Sequence, residues 1–352
     1  MRFKNYLWAV IPALLLSGCQ STFGPSSIND THPYYNQAIA DTISQQMLLN
    51  LVRLKYRDEM YFLKVGSVTS SISFGGNIGI GSNVPMGTPA ASLSPNMGLN
   101  YSDHPTISYQ PLQGEDFLKS FLAPIPLGSM LVLIQSGWNI ERIFSLCIDR
   151  ANDLYNSSNV SVIEKDNSAT QNYKRMLKLF RTLQLDHSIE VGLDQTTRDL
   201  MILLRPNALN QGSIHELQSL LGVKAQDKSK MLFKVGTNFL TPLPNQINLS
   251  TRGLSGVMFY LAQRVASPQE HIDAGLVDPQ VFTNIAYEDF SVKVSDSYPD
   301  GAFIAVPYRG YWFYIADNDL KSKSTFMLLS QLFDLQAGQS KYSGPTLTLP
   351  VN

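Results

Sequence analysis

From Ser71 to Tyr101 the chain carries no charged side chain, and its apolar residues recur with a period of two: Ile72, Phe74, Ile78 and Ile80 alternate with Ser73, Gly75, Asn77 and Gly79. That period fits a pleated strand and does not fit a helix. Pro85, Gly87 and Pro89 supply a turn region, and Ala91, Leu93, Met97, Leu99 and Tyr101 a returning strand, so the stretch predicts a long Gly-rich β-hairpin. Two strands alone are rarely stable in water. The hairpin is therefore expected to pack on its own domain or on a neighbouring subunit, with Ile72, Phe74, Ile78 and Ile80 as candidate interface residues.

The N-terminus says where such a chain works. Arg2 and Lys4 precede an apolar run from Tyr6 to Leu16, and Leu16-Ser17-Gly18-Cys19 follows. A basic start, a short apolar core and small residues before a cleavage point make a secretory signal peptide. The run is far shorter than the ~20 residues of a spanning helix. Cysteine directly after Leu-Ser-Gly resembles the bacterial lipobox, which implies cleavage after residue 18 and a mature N-terminal Cys19. That residue would carry a diacylglyceryl thioether and an N-acyl chain of the palmitate class. With about 0.8 kcal/mol per buried methylene, three chains amount to a permanent anchor. Gln20 stands where an inner-membrane retention signal has aspartate, so the sorting pattern implies the outer membrane of a Gram-negative cell, facing the periplasm. The alternative is a plain secreted protein with a chance cysteine.

A net charge of -1 and a pI near 6.5 give no electrostatic footprint for nucleic acid. Charged residues make up 16%, below the ~25% of ordinary soluble proteins, so Asn, Gln, Ser and Thr or partner contacts are expected to cover the surface. With Cys19 acylated only Cys147 remains, and no intramolecular disulfide can form in the oxidising periplasm. Cys147 sits among Ile143, Phe144, Leu146 and Ile148 and reads as a buried small hydrophobe, not a nucleophile.

Elsewhere the periodicities predict an α+β chain in five parts: the signal peptide (1–18), a polar tether (19–33), an N-terminal α+β domain with the Gly-rich hairpin (34–156), and two α-β-β-α-β-like units (169–237 and 246–352). Ile39, Ile43, Met47, Leu51 and Leu54 mark a helix from about Asn36 to Tyr56, followed by a strand from Tyr61 to Val68. Short helices are expected at 114–122, 127–135 and 139–152, with a linker at 156–168. The first unit reads as helix 173–183, strands 188–193 and 199–204, helix 214–221 and strand 231–235. The second reads as helix 254–265, strands at 290–294, 302–307 and 311–315, helix 320–335 and strand 346–349. Their shared order suggests a duplication. Arg309-Gly310 between two apolar runs is a tight-hairpin signal.

No His-Glu-x-x-His, phosphate loop, Gly-x-Ser-x-Gly elbow or Ser-x-x-Lys pattern is present, so no catalytic residue and no enzymatic activity are assigned. Glu270-His271-Ile272-Asp273 could offer metal ligands, yet it fits better as a polar helical turn after Pro268. Asp296, Asp300, Asp317 and Asp319 lack the spacing of a calcium loop, and Asp317-Asn318-Asp319 fits an N-cap. No metal or cofactor is expected beyond the lipid on Cys19. Arg309, Tyr311, Trp312 and Tyr314 are the second candidate surface, because Trp, Tyr and Arg are enriched at interfaces and aromatic faces also bind sugars.

Five segments carry a resemblance: Val52 to Asp58; Pro105 to Phe117; Ile134-Gln135-Ser136-Gly137-Trp138 with Glu141-Arg142; Gly256 to Leu261; and Tyr308 to Ile315. Together they resemble a widespread family of uncharacterised proteobacterial outer-membrane lipoproteins, and are more weakly similar to accessory lipoproteins of the Dot/Icm type IVB secretion outer-membrane core. The resemblance implies a non-enzymatic structural component of an envelope assembly, with other envelope proteins or further copies of the chain as partners. The alternatives are a peptidoglycan- or glycan-binding lipoprotein and, more remotely, a pore to which each subunit donates a hairpin. Strands of 9 to 11 residues suffice for a barrel wall, while Pro95 and the short alternation argue against that last reading.

Overall fold

The protein is described by a computed structural model covering residues 25–83, 92–156, 168–225, 231–241, 243–278, 289–337 and 347–350. The expected signal peptide and the expected lipidation site, Cys19, lie outside the described residues. The class is α+β, with three sheets and the helices packed around one contiguous apolar core.

Helix α1 (Pro25–Lys55) begins well before the expected Asn36, so the second half of the expected tether is helical and Pro33 lies inside the helix. Met47, Leu48, Leu51 and Val52 are buried while Ile43 is exposed, so the apolar stripe docks only over the last turns. The hairpin follows as β1 (Phe62–Asn83) and β2 (Ser92–Leu112), antiparallel from Phe62↔Leu112 to Asn83↔Ser92. The strand expected at Tyr61 to Val68 and the hairpin expected from Ser71 are one element, and the return strand runs past Tyr101 and through Pro105.

Three short helices follow: α2 (Glu115–Leu122), α3 (Leu127–Gln135) and α4 (Ile140–Cys147). The third was expected to reach Asn152, but Ile148 turns the chain into β3 (Ile148–Ala151), paired with β4 (Leu154–Tyr155). Arg252 explains the stop. Its buried guanidinium donates to the carbonyls of Ser145 (3.0 Å) and Leu146 (3.1 Å), placing a cation on the negative end of α4. Next door Gly253 is obligatory, since a Cβ there would lie 2.4 Å from the carbonyl oxygen of Leu122.

Helix α5 (Ser168–Leu185), β5 (Ile189–Leu193), β6 (Leu200–Leu204), α6 (Gln211–Leu221) and β7 (Met231–Gly236) match the first expected unit in order. An unexpected strand, β8 (Gln246–Thr251), then pairs in parallel with β7 over three register positions, from Lys234↔Gln246 to Gly236↔Asn248. Because the overlap is so short, the connection needs no crossover helix. The large sheet has the order β4-β3-β8-β7-β6-β5. It takes strands from all three segments expected as separate units, so the expected boundaries fall inside one sheet.

The remainder comprises α7 (Leu254–Ala262), α8 (Gln269–Asp273), β9 (Lys293–Ser295), β10 (Ala302–Tyr308), β11 (Tyr311–Ala316), α9 (Leu320–Ala337) and β12 (Leu347–Pro350). Strands β10, β11 and β9 form a small sheet in that order. The last strand, expected to complete the second unit, instead pairs with β2 from Leu347↔Tyr109 to Pro350↔Thr106. In the first unit the corresponding strand stays in its own sheet, so the two units share element order without sharing topology.

Candidate functional site

Two surfaces are built from the expected residues, and the sharper geometry belongs to β10 and β11. Arg309 (φ 47°) and Gly310 (φ 86°) close the hairpin with Tyr308 opposite Tyr311, the two-residue turn with paired positive φ that matches strand twist. Tyr311, Phe313 and Ile315 share the core-facing side, with Phe313 and Ile315 fully buried, while Trp312 and Tyr314 are half-buried on the other. The sequence period predicts this division.

The turn is pinned to the end of α1. Tyr308 donates its hydroxyl proton to Asp58, and Arg309 donates to the same carboxylate oxygen at 2.9 Å. The Tyr308 hydrogen bond, reinforced by the Arg309 guanidinium, holds the Asp58 carboxyl below the usual carboxylate range. Arg309 also lies over the Tyr56 ring, 5.1 Å from its centroid. Burial pushes the Tyr56 phenol up to about 12, and its hydroxyl is hydrogen-bonded to His271 Nδ1 at 2.7 Å. The other ring nitrogen, Nε2, lies 3.6 Å from a Glu270 carboxylate oxygen. Glu270 in turn hydrogen-bonds the Tyr311 hydroxyl and raises its pKa. The Glu270-His271-Ile272-Asp273 stretch is thus a helical turn that locks α8 to the hairpin: His271 is buried, and Asp273 bonds Gln269 at 2.8 Å. Among the described residues no three His, Cys, Asp or Glu side chains converge.

Beside this latch, a cavity of about 390 Å³ lies between α1 and the outer side of the small sheet. Asp41, Ser44 and Gln45 form one wall, and Tyr298, Trp312 and the 302–307 backbone the other. Trp312 packs edge-on to Tyr298, with ring centroids 4.9 Å apart. An aromatic plate facing a carboxylate, an amide and a hydroxyl can take a polar ligand with apolar faces. Arg309 and Tyr311, expected on the same surface, belong to the latch and not to the cavity. Tyr56, Asp58, Asp41 and Gln45 were not singled out in the sequence, which offers no pattern linking α1 to residues more than two hundred positions away.

The second surface is the long hairpin. Its base is fixed to α1: the Asn50 side chain donates to the Tyr61 carbonyl (2.8 Å) and accepts from its N–H (3.0 Å), while Gln46 accepts from the Leu63 N–H (2.9 Å). Phe62 is buried against Phe117, Phe121 and Phe333. Beyond the base, β12 covers one edge only as far as Thr106. Residues 68–83 and 92–105 have no further strand neighbour among the described residues. Ile72, Phe74, Ile78 and Ile80 are placed here by backbone register, and their side chains lie outside what is described. Cys147 is fully buried, and burial pushes its thiol up to about 12, which removes it as a nucleophile.

No family model, curated protein or solved structure matches the chain.

Proposed function

We propose that the chain is a non-enzymatic lipoprotein, anchored through acylated Cys19 in the outer membrane and facing the periplasm, that acts as a structural component of an envelope assembly. The observation that carries this reading is the hairpin. A base held by Phe62, Asn50 and Gln46 presents two strands whose distal edges have no further strand neighbour among the described residues, and unpaired edges are templates for pairing with another chain. The resemblance to uncharacterised outer-membrane lipoproteins supports the same reading, and the weaker similarity to accessory lipoproteins of the Dot/Icm core points to a type IV secretion outer-membrane core as the assembly. Extraction in mild detergent after cross-linking in intact cells tests it: the chain is expected in a defined multi-protein or multi-copy species. A stable monomer with no cross-linked envelope protein would sink the proposal.

The cavity beside Trp312 favours a second reading, a site for peptidoglycan or another glycan. Trp312→Ala is expected to abolish retention on isolated sacculi, and Tyr314→Ala, outside the cavity lining, to leave it intact. Equal retention of wild type and Trp312→Ala removes this reading.

A further inference from the structure

The register of β1 with β2 sorts the hairpin into two unlike faces. Phe74 opposite Tyr101, Gly76 opposite Leu99 and Ile78 opposite Met97 fall on one face. Ser73 opposite Ser102, Gly75 opposite Asn100 and Asn77 opposite Gly98 fall on the other. One face is apolar and the other consists of hydroxyls, amides and glycines. No Asp, Glu, Lys or Arg occurs from Val65 to Ser102, and the first charge on the return strand is Asp103, two rungs below the Phe74–Tyr101 pair and opposite Ile72.

Three physical constraints act together on this ribbon. An apolar face must leave water, and a bare edge in a non-aqueous phase must find a partner, because its backbone N–H and C=O groups have no water there to bond. The register answers the two sequence objections to a barrel: Pro95 stays within β2, opposite Ile80, and from the Phe74–Tyr101 rung to the Ser82–Leu93 rung each strand supplies about 9 residues, within the ~9–11 that a tilted strand needs to cross a bilayer. An aromatic pair at the near end of that span sits where outer-membrane barrels carry an interfacial girdle. A water-exposed partner surface would explain neither the exclusion of charge from both faces nor the match in length.

We propose that copies of this chain pair their hairpins edge to edge into a closed β-barrel in the outer membrane, with the Phe74–Ile78 face toward lipid and the Ser73–Asn77 face lining an uncharged aqueous lumen. The strand β12 fits this arrangement, because it caps the edge of β2 only up to Thr106 and leaves the spanning part free. Each copy gives two strands, and the smallest such barrels have about eight, so about four copies is the minimum. The proposal rests on the envelope-assembly reading and specifies its partner as further copies of the same chain.

Cysteine substitution in the full lipidated protein, assayed in native outer membranes, tests it. The wild type is a blank because Cys147 is fully buried and Cys19 is acylated in this reading. Asn77→Cys and Asn96→Cys are expected to react with a water-soluble maleimide at least about tenfold faster than Ile78→Cys and Met97→Cys, given the alternation of a strand. Purified protein is expected to elute as a multi-copy species and to conduct in planar bilayers. Asn77→Asp should render that conductance cation-selective, and Ile78→Asp should abolish it. Equal labelling on both faces overturns the barrel. Protection of Ile78→Cys in a complex with a different protein, without conductance, overturns the barrel and leaves the scaffold reading standing. A monomer with neither partner nor conductance ends both.

Discussion

The molecule contains two β-hairpins that obey opposite rules. β10 and β11 are short and end in a turn whose arginine is tied to Asp58, and one of their faces is wholly inside the core, through Val306, Phe313 and Ile315. β1 and β2 have 22 and 21 residues, and the ties to the body seen among the described residues are at their base. The first hairpin has its polar groups concentrated at the tip, where they meet partners from α1 and α8. The second has none of the four charged types over its distal length, and its charges resume at Asp103, about midway along the hairpin, and at Lys64, near the base. A hairpin that stabilises its own fold keeps its turn chemistry specific. A hairpin kept for something outside the fold can leave its turn and edges to be satisfied elsewhere.

If that contrast is correct, stability should respond to the anchor points and not to the distal ribbon. Phe62→Ala removes a fully packed ring that joins the base of the long hairpin to Phe117, Phe121 and Phe333, and is expected to cost about 3–5 kcal/mol in chemical denaturation. A loss under about 1 kcal/mol would mean the base is not held by the core. Asp58→Asn tests the short hairpin's latch. Two charge-assisted hydrogen bonds are weakened at a half-exposed site, so roughly 1 kcal/mol is expected after allowance for solvent screening. The sign of its pH dependence follows from the lowered carboxyl. Its contribution is present above the ordinary carboxylate pKa near ~4 and is lost as pH falls through the depressed value, so wild type and variant should converge in acid. A difference that stays constant from neutral pH into acid would show that the carboxylate is not what holds the turn.

The short hairpin was legible because its signals are local: a two-residue Arg-Gly turn between alternating runs fixes register within a few residues. Helix α3 was legible for the same reason, with Pro126 before it and Gly137 after it. The strand β8 was not, since Gln246 and Asn248 make it look like a loop, although both are buried. The end of α4 was misread because Ile148 continues the helical period of Ile140, Ile143, Phe144 and Cys147. What stops the helix is Arg252, about a hundred residues away. Of the two surfaces, Trp312, Arg309 and the alternation of the long hairpin could be read directly. Asp58, Tyr56 and the α1 wall of the cavity could not, because they become neighbours of β10 and β11 only when the core closes.

The smallest expected effect on folding is the most informative for function. Replacing residues 69–106 by Asn-Gly joins Val68 to Ile107, which already face each other in the register, and supplies the turn such a two-residue loop requires. Phe62 and Leu112, through which the base of the hairpin reaches the buried core, stay in place, and β12 gives up its pairing position at Thr106. The shortened protein should therefore unfold within about 0.5 kcal/mol of the wild type. If the proposed lipoprotein reading holds, it should be exported and acylated like the wild type, because residues 1–19 are intact. Its expected change is loss of the multi-copy species and of any conductance. If the truncated chain instead melts well below the wild type, the distal ribbon belongs to the fold after all, and the two hairpins would differ in length and not in purpose.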